Sequence, residues 1–209
     1  MPKTNILFFV IALLLTGACS SSSAPTIYDD PEPAPAKHDE PEPAPAEYTD
    51  WDEERIQLDY DIEDFLRTGD SLAVGLEEGL ENFQEAATER VEGQQELEVR
   101  IQAIAQRQDS ADARGWSNLR VGQLYLNFAC NLQNMNVPDE VPPDLADEYQ
   151  QTVRSLVMPL IEQARASFQE ARQSNTSPWS EDAEFLHDEL TGFDGHTTCE
   201  ATSVFWRGD

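Results

Sequence analysis

Three cysteines and three histidines hold most of the reactive chemistry in this 209-residue chain. His196 and Cys199 stand three apart, a spacing that suits two ligands of one zinc ion, with His187 and Cys130 as further donors. No second paired-ligand motif accompanies them. As a nucleophile Cys130 is poor, because Phe128, Ala129 and Leu132 surround it with apolar chain that raises a thiol pKa. The sequence contains no G-x-S-x-G elbow, no H-E-x-x-H pair and no glycine-rich phosphate loop. Asp and Glu number 41, so no single carboxylate pair stands out as an acid–base couple. The residues therefore point to a chain with no catalytic site, no resident metal and no cofactor.

Charge decides which partners are excluded. Lys and Arg number only 13, the net charge is −28, and Lys3 and Lys37 are the only lysines. Phosphate backbones are bound through Lys and Arg patches, so nucleic acid is excluded. Basic peptides and divalent ions suit such a surface. A solvated acidic coat, as in chains adapted to high salt, is the plainer reading of the same numbers.

The elements that position these residues begin with a marked start. Lys3 precedes an unbroken apolar run from Ile6 to Leu15, and small Gly17 and Ala18 precede Cys19. A positive region, a short apolar core and small residues at the cut define a secretory signal. The run falls well short of the roughly 20 residues of a spanning helix. Leu15-Thr16-Gly17-Ala18-Cys19 resembles the lipobox of bacterial lipoproteins. The resemblance implies that residues 1–18 are a signal peptide and that Cys19 becomes a lipidated amino terminus. Two or more acyl chains anchor stably where one does not. Ser20 resembles the outer-membrane sorting pattern, which implies a lipid-anchored outer-membrane protein facing the periplasm. With Cys19 committed to lipid, Cys130 and Cys199 are an even pair in an exported chain, where oxidation is the default. A Cys130–Cys199 disulfide is predicted, with zinc as its alternative.

Residues 19–50 read as a disordered Pro-rich linker. Asp30-Pro31-Glu32-Pro33-Ala34-Pro35-Ala36 returns as Glu40-Pro41-Glu42-Pro43-Ala44-Pro45-Ala46. Such a tract buries too little surface to fold. Its prolines favour an extended spacer of ~3.1 Å per residue.

Residues 51–190 carry apolar side chains at helical spacing, without an alternating strand pattern. Leu58, Ile62, Phe65 and Leu66 mark a first helix, closed by Gly69. A second runs from Leu72 through Phe83 to Ala87, and a third holds Leu97, Ile101 and Ile104. Asp109 or Ser110 caps a fourth through Leu124 and Leu132. Pro142 and Pro143 open a long fifth, kinked or broken near Pro159. Ser177 and Pro178 open a short sixth, and residues 191–209 form an irregular tail.

Phe83-Gln84-Glu85-Ala86 recurs as Phe168-Gln169-Glu170-Ala171, each Phe four residues after a small residue, Gly79 or Ala164. Ala164, Phe168 and Ala171 resemble the second helix of a tetratricopeptide repeat, and Gly122 and Tyr125 its first. The departures are an insertion over Asn134–Val153 and Thr176 where the repeat often has Pro. The resemblance implies an all-α head of antiparallel helical hairpins, stacked as a short solenoid or bundle. It also implies a protein–protein interaction scaffold in the cell envelope, with an unidentified protein partner. The interaction surface is expected at Tyr125, Asn127, Asn131, Gln133, Asn134, Phe205 and Trp206. The alternative is a small-molecule or ion-binding accessory of an envelope transport system, with a pocket between helices.

Overall fold

The computed structural model describes residues 50–68, 72, 80–138, 141–193 and 196–202. The expected signal peptide, Cys19, the expected linker up to residue 49, Phe205 and Trp206 lie outside the described residues, and Asp50 belongs to the first helix. Among the described residues every regular element is helical. In chain order these are α1 (Asp50–Arg67), α2 (Leu80–Gln108) and α3 (Ala111–Gln133). A 3-10 turn (Pro143–Leu145) then leads into α4 (Ala146–Gln173), α5 (Trp179–Thr191) and α6 (His196–Thr202).

Side-chain pairing fixes the helix directions. Asp61 pairs with Arg100 and Glu54 with Arg107, so α1 and α2 are antiparallel. Asp59 pairs with Arg120, and Leu66 is bonded by Asn127, so α1 and α3 run parallel. Gly122 meets Phe168, and Gly115 meets Ser174 and Thr176, so α3 and α4 are antiparallel. Arg165 donates to the Leu190 carbonyl and Arg172 contacts His187, so α4 and α5 are antiparallel as well.

Helix α3 is the centre of this arrangement. Trp116, Leu119, Leu124, Leu126, Phe128, Ala129 and Leu132 are all buried, on more than one face of the helix. A helix that is apolar most of the way round must be covered on most sides. Ser110 starts it, accepting from the Ala113 amide at 3.0 Å. Asp109, at φ 40°, makes the left-handed turn between α2 and α3, a conformation short polar side chains tolerate.

Three expected boundaries are corrected. From Leu80 onward the second expected helix and the third are one 29-residue helix, α2, running unbroken through Gly93, while residues 73–79 lie outside the described residues. A mid-helix glycine costs about 1 kcal/mol against alanine. Here its missing side chain makes room for Phe65, since a Cβ at 93 would lie 2.8 Å from the Phe65 Cε2. Of the kink or break expected at Pro159, the break does not occur: helix α4 continues through it. Pro159 and Ser155 are both exposed, so solvent can take up the carbonyl that Pro159 leaves without its helical donor. The tail, expected to be irregular, contains α6, which carries Cys199.

Cys130 and Cys199 form the disulfide, S–S 2.09 Å, joining the C-terminal part of α3 to α6. The two residues are 69 apart in sequence. Closing a loop of that length restricts the unfolded chain by about 4 kcal/mol in the chain-entropy treatment.

Candidate functional site

Two polar clusters flank α3, and they differ in character. The first lies where α1 ends. A helix terminus leaves its last carbonyls without helical partners. Arg90 donates to the Phe65 carbonyl at 2.7 Å and stacks its guanidinium 3.7 Å from the centroid of the Phe65 ring. Asn127 donates to the Leu66 carbonyl at 3.1 Å, and its own oxygen accepts from Arg90 and from Asn131. A cation at the negative end of a helix dipole is favourable. Burial lowers the Arg90 pKa to about 10, which leaves it protonated at neutral pH. This cluster closes α1 and ties it to α2 and α3.

Asn127 was expected on an exposed surface, and the structure corrects this: it is only 2% exposed. Its surroundings are the reason. Its neighbours Leu126, Phe128, Ala129 and Cys130 are buried too, so α3 is covered on the Asn127 side at that point. Asn131 is half-buried and serves the same cluster. Gln133 is half-buried, and Asn134 is exposed as the C-cap of α3, its amide bonded to the Cys130 and Leu132 carbonyls. The expected residues therefore do not gather into one surface.

The second cluster faces outward. Gln94 and Glu98 lie one turn apart on α2, and the Gln94 amide donates to the Glu98 carboxylate at 2.9 Å. Tyr125 of α3 donates its hydroxyl to the other Glu98 oxygen at 3.3 Å. Gln94 is buried, whereas Glu98 and Tyr125 are half-buried. Burial raises the Glu98 pKa, against the pull of its two donors. Burial, and then the Glu98 charge, push the Tyr125 phenol up to about 12. Among the described residues no Arg, Lys or His lies within ion-pair distance of Glu98. Elsewhere in the head, Arg120 and Trp116 both bond Asp59, and Arg55 and Trp179 both bond Asp112. Sequence reasoning singled out Tyr125 but missed Gln94 and Glu98. The signal was there: both fall on the α2 stripe that continues through Ile101.

On α3, Arg114, Asn118, Val121 and Tyr125 recur at helical spacing and form one stripe that reaches solvent. Beside the N-terminal half of α2, Gln84, Glu85, Thr88 and Glu89 line an open depression of about 450 Å³. Among the described residues no group of three His, Cys, Asp or Glu side chains is placed to hold a metal ion. The zinc alternative also loses both thiolates to the disulfide. No described helix is long and apolar enough to cross a membrane. No protein family, no curated protein and no solved structure matches this chain.

Proposed function

We propose that the chain is a lipid-anchored protein of the bacterial outer membrane whose helical head docks a protein partner in the periplasm. The observation that carries this reading is the stripe Arg114, Asn118, Val121 and Tyr125 on the central helix, exposed at Arg114 and half-buried along the rest. Such an open face beside polar acceptors of the neighbouring helix suits an elongated segment better than an enclosed small molecule. The tetratricopeptide-like arrangement belongs to the same proposal. Gly122 set against Phe168, with Ala164 and Ala171 buried on the same face of α4, gives the small–aromatic–small packing that brings a repeat's two helices together. The net charge of −28 favours a cationic partner and disfavours nucleic acid.

The anchor is tested by fractionating cells that express wild type or Cys19→Ala. The wild type should sediment with outer membranes, with acyl chains on its first residue by intact mass, and Cys19→Ala should leave the membrane fraction. Unchanged sedimentation of Cys19→Ala, or a wild type with an unmodified terminus, would contradict the proposal.

A further inference from the structure

The Glu98 cluster supplies more acceptors than its neighbours use. An ionised carboxylate offers about four lone-pair positions. Here two are engaged, by the Gln94 amide at 2.9 Å and by the Tyr125 hydroxyl at 3.3 Å. Gln94 is itself 5% exposed, and its Oε1 has no hydrogen-bond partner. That oxygen is bonded to the same carbon as the nitrogen that donates to Glu98, so it sits beside the carboxylate. Buried polar atoms are nearly always satisfied, and an orphan acceptor costs about 1–3 kcal/mol. A desolvated carboxylate with neutral donors only is costly for the same reason. Three oxygen-bearing groups thus lie together, the half-buried Glu98 and Tyr125 reaching solvent and the Gln94 oxygen buried behind them.

We infer that Gln94, Glu98 and Tyr125 form a receptor for one arginine or lysine side chain of a protein partner. This deepens the docking proposal and rests on it. A guanidinium or ammonium carries only donors, which matches a set of acceptors. Val91 and Val121, three residues before Gln94 and four before Tyr125, are half-buried apolar side chains that suit the methylene stem of such a residue. The acidity of the whole chain draws cationic segments toward the site and leaves the local acceptors to select the side chain.

The test uses N-acetyl-arginine amide and N-acetyl-lysine amide as probes, titrated into the full mature chain in detergent. The Gln94 side-chain amide is followed by nuclear magnetic resonance. Either probe should shift that resonance saturably, N-acetyl-alanine amide should not, and Glu98→Gln should weaken binding by about tenfold or more, the equivalent of 1.4 kcal/mol. Tyr125→Phe keeps the charge and should weaken it less, which preserves the test if Glu98→Gln is poorly folded. An equal shift from potassium chloride at the same ionic strength, or equal affinity in Glu98→Gln, would overturn the receptor. So would the absence of any shift. A chain that fails here but still cross-links a partner in cells has lost only the receptor, and the docking proposal stands separately.

Discussion

Replacing Gly122 with alanine should destabilise the head, although helix propensity alone predicts the reverse. Alanine is better than glycine inside a helix by about 1 kcal/mol. At position 122, however, the new Cβ would stand 2.6 Å from the Phe168 Cδ1, 3.0 Å from Cζ, and closest of all to Cε1. Phe168 is fully buried, so the ring has no solvent to move into. Ordinary carbon–carbon contacts are about 3.5–4.0 Å, so α3 and α4 must separate or the ring must leave its rotamer. Overpacking of this kind costs about 1–3 kcal/mol, and a clash with three ring atoms belongs at the upper end. After subtracting the propensity gain, a net loss of about 2 kcal/mol is expected. Gly93→Ala is the internal control. Its Cβ would press on one atom of Phe65, which is half-buried and can yield, so the two effects should nearly cancel. Urea unfolding followed by far-ultraviolet circular dichroism measures both variants. A double-mutant cycle with Phe168→Leu assigns the cause, with a coupling of about 1 kcal/mol or more between 122 and 168. If Gly122→Ala proved stabilising by the propensity increment, or showed no coupling to Phe168, the close approach of α3 to α4 would be refuted.

Three further expectations follow from the same geometry. Asn127→Leu should cost about 2–3 kcal/mol, because it strands the Leu66 carbonyl and removes an acceptor from buried Arg90; unfolding no easier than wild type would show that α1 does not depend on this cap. Serine at both Cys130 and Cys199 should lower stability by about 4 kcal/mol, whereas reduction that leaves the thermal midpoint unchanged would show that the bridge does not constrain the unfolded chain. Glu98→Gln should alter the pH dependence with a definite sign. Folding raises the Glu98 pKa above its ordinary 4.5, so the folded state holds this proton more tightly. Its contribution is favourable below pH 4.5 and is lost as pH rises through the folded value. Wild type should therefore lose stability relative to Glu98→Gln across that window and level off above it, while Tyr125, at about 12, stays protonated throughout. A constant difference between the two proteins from acid to neutral pH would contradict the sign.

The helical periodicity that sequence exposes is a record of burial, and it read the class of fold well. Leu58, Ile62 and Leu66 on α1 and Ala164, Phe168 and Ala171 on α4 are core residues because apolar side chains at that spacing can leave water only on a helix face. The Ser110 cap and the Cys130–Cys199 pair were legible for local chemical reasons, a side-chain acceptor before a helix and two thiols in a chain whose start reads as a secretory signal. Gly93 was harder. Glycine suggests an ending, and only the tertiary partner Phe65 explains why α2 runs past it. Asn127 misled because amides usually lie outside, and its role depends on a carbonyl 61 residues away at the end of α1. Glu98 was hidden among 41 acidic residues, and only its place on the α2 stripe through Ile101 sets it apart in the sequence, before the contacts with Gln94 and Tyr125 do so in the structure. A hydrophobic pattern records which face is buried, but not which helix covers it.

Site-specific photo-crosslinking in intact cells tests the docking proposal most directly. The photoreactive residue is placed at Gln95, exposed beside Gln94 on α2, with exposed Ala166 on α4 as the comparison position. The expected result is one envelope protein cross-linked from position 95 and absent from position 166. Membrane-anchored protein that yields no cross-linked polypeptide from position 95, or the same products from both positions, would contradict it.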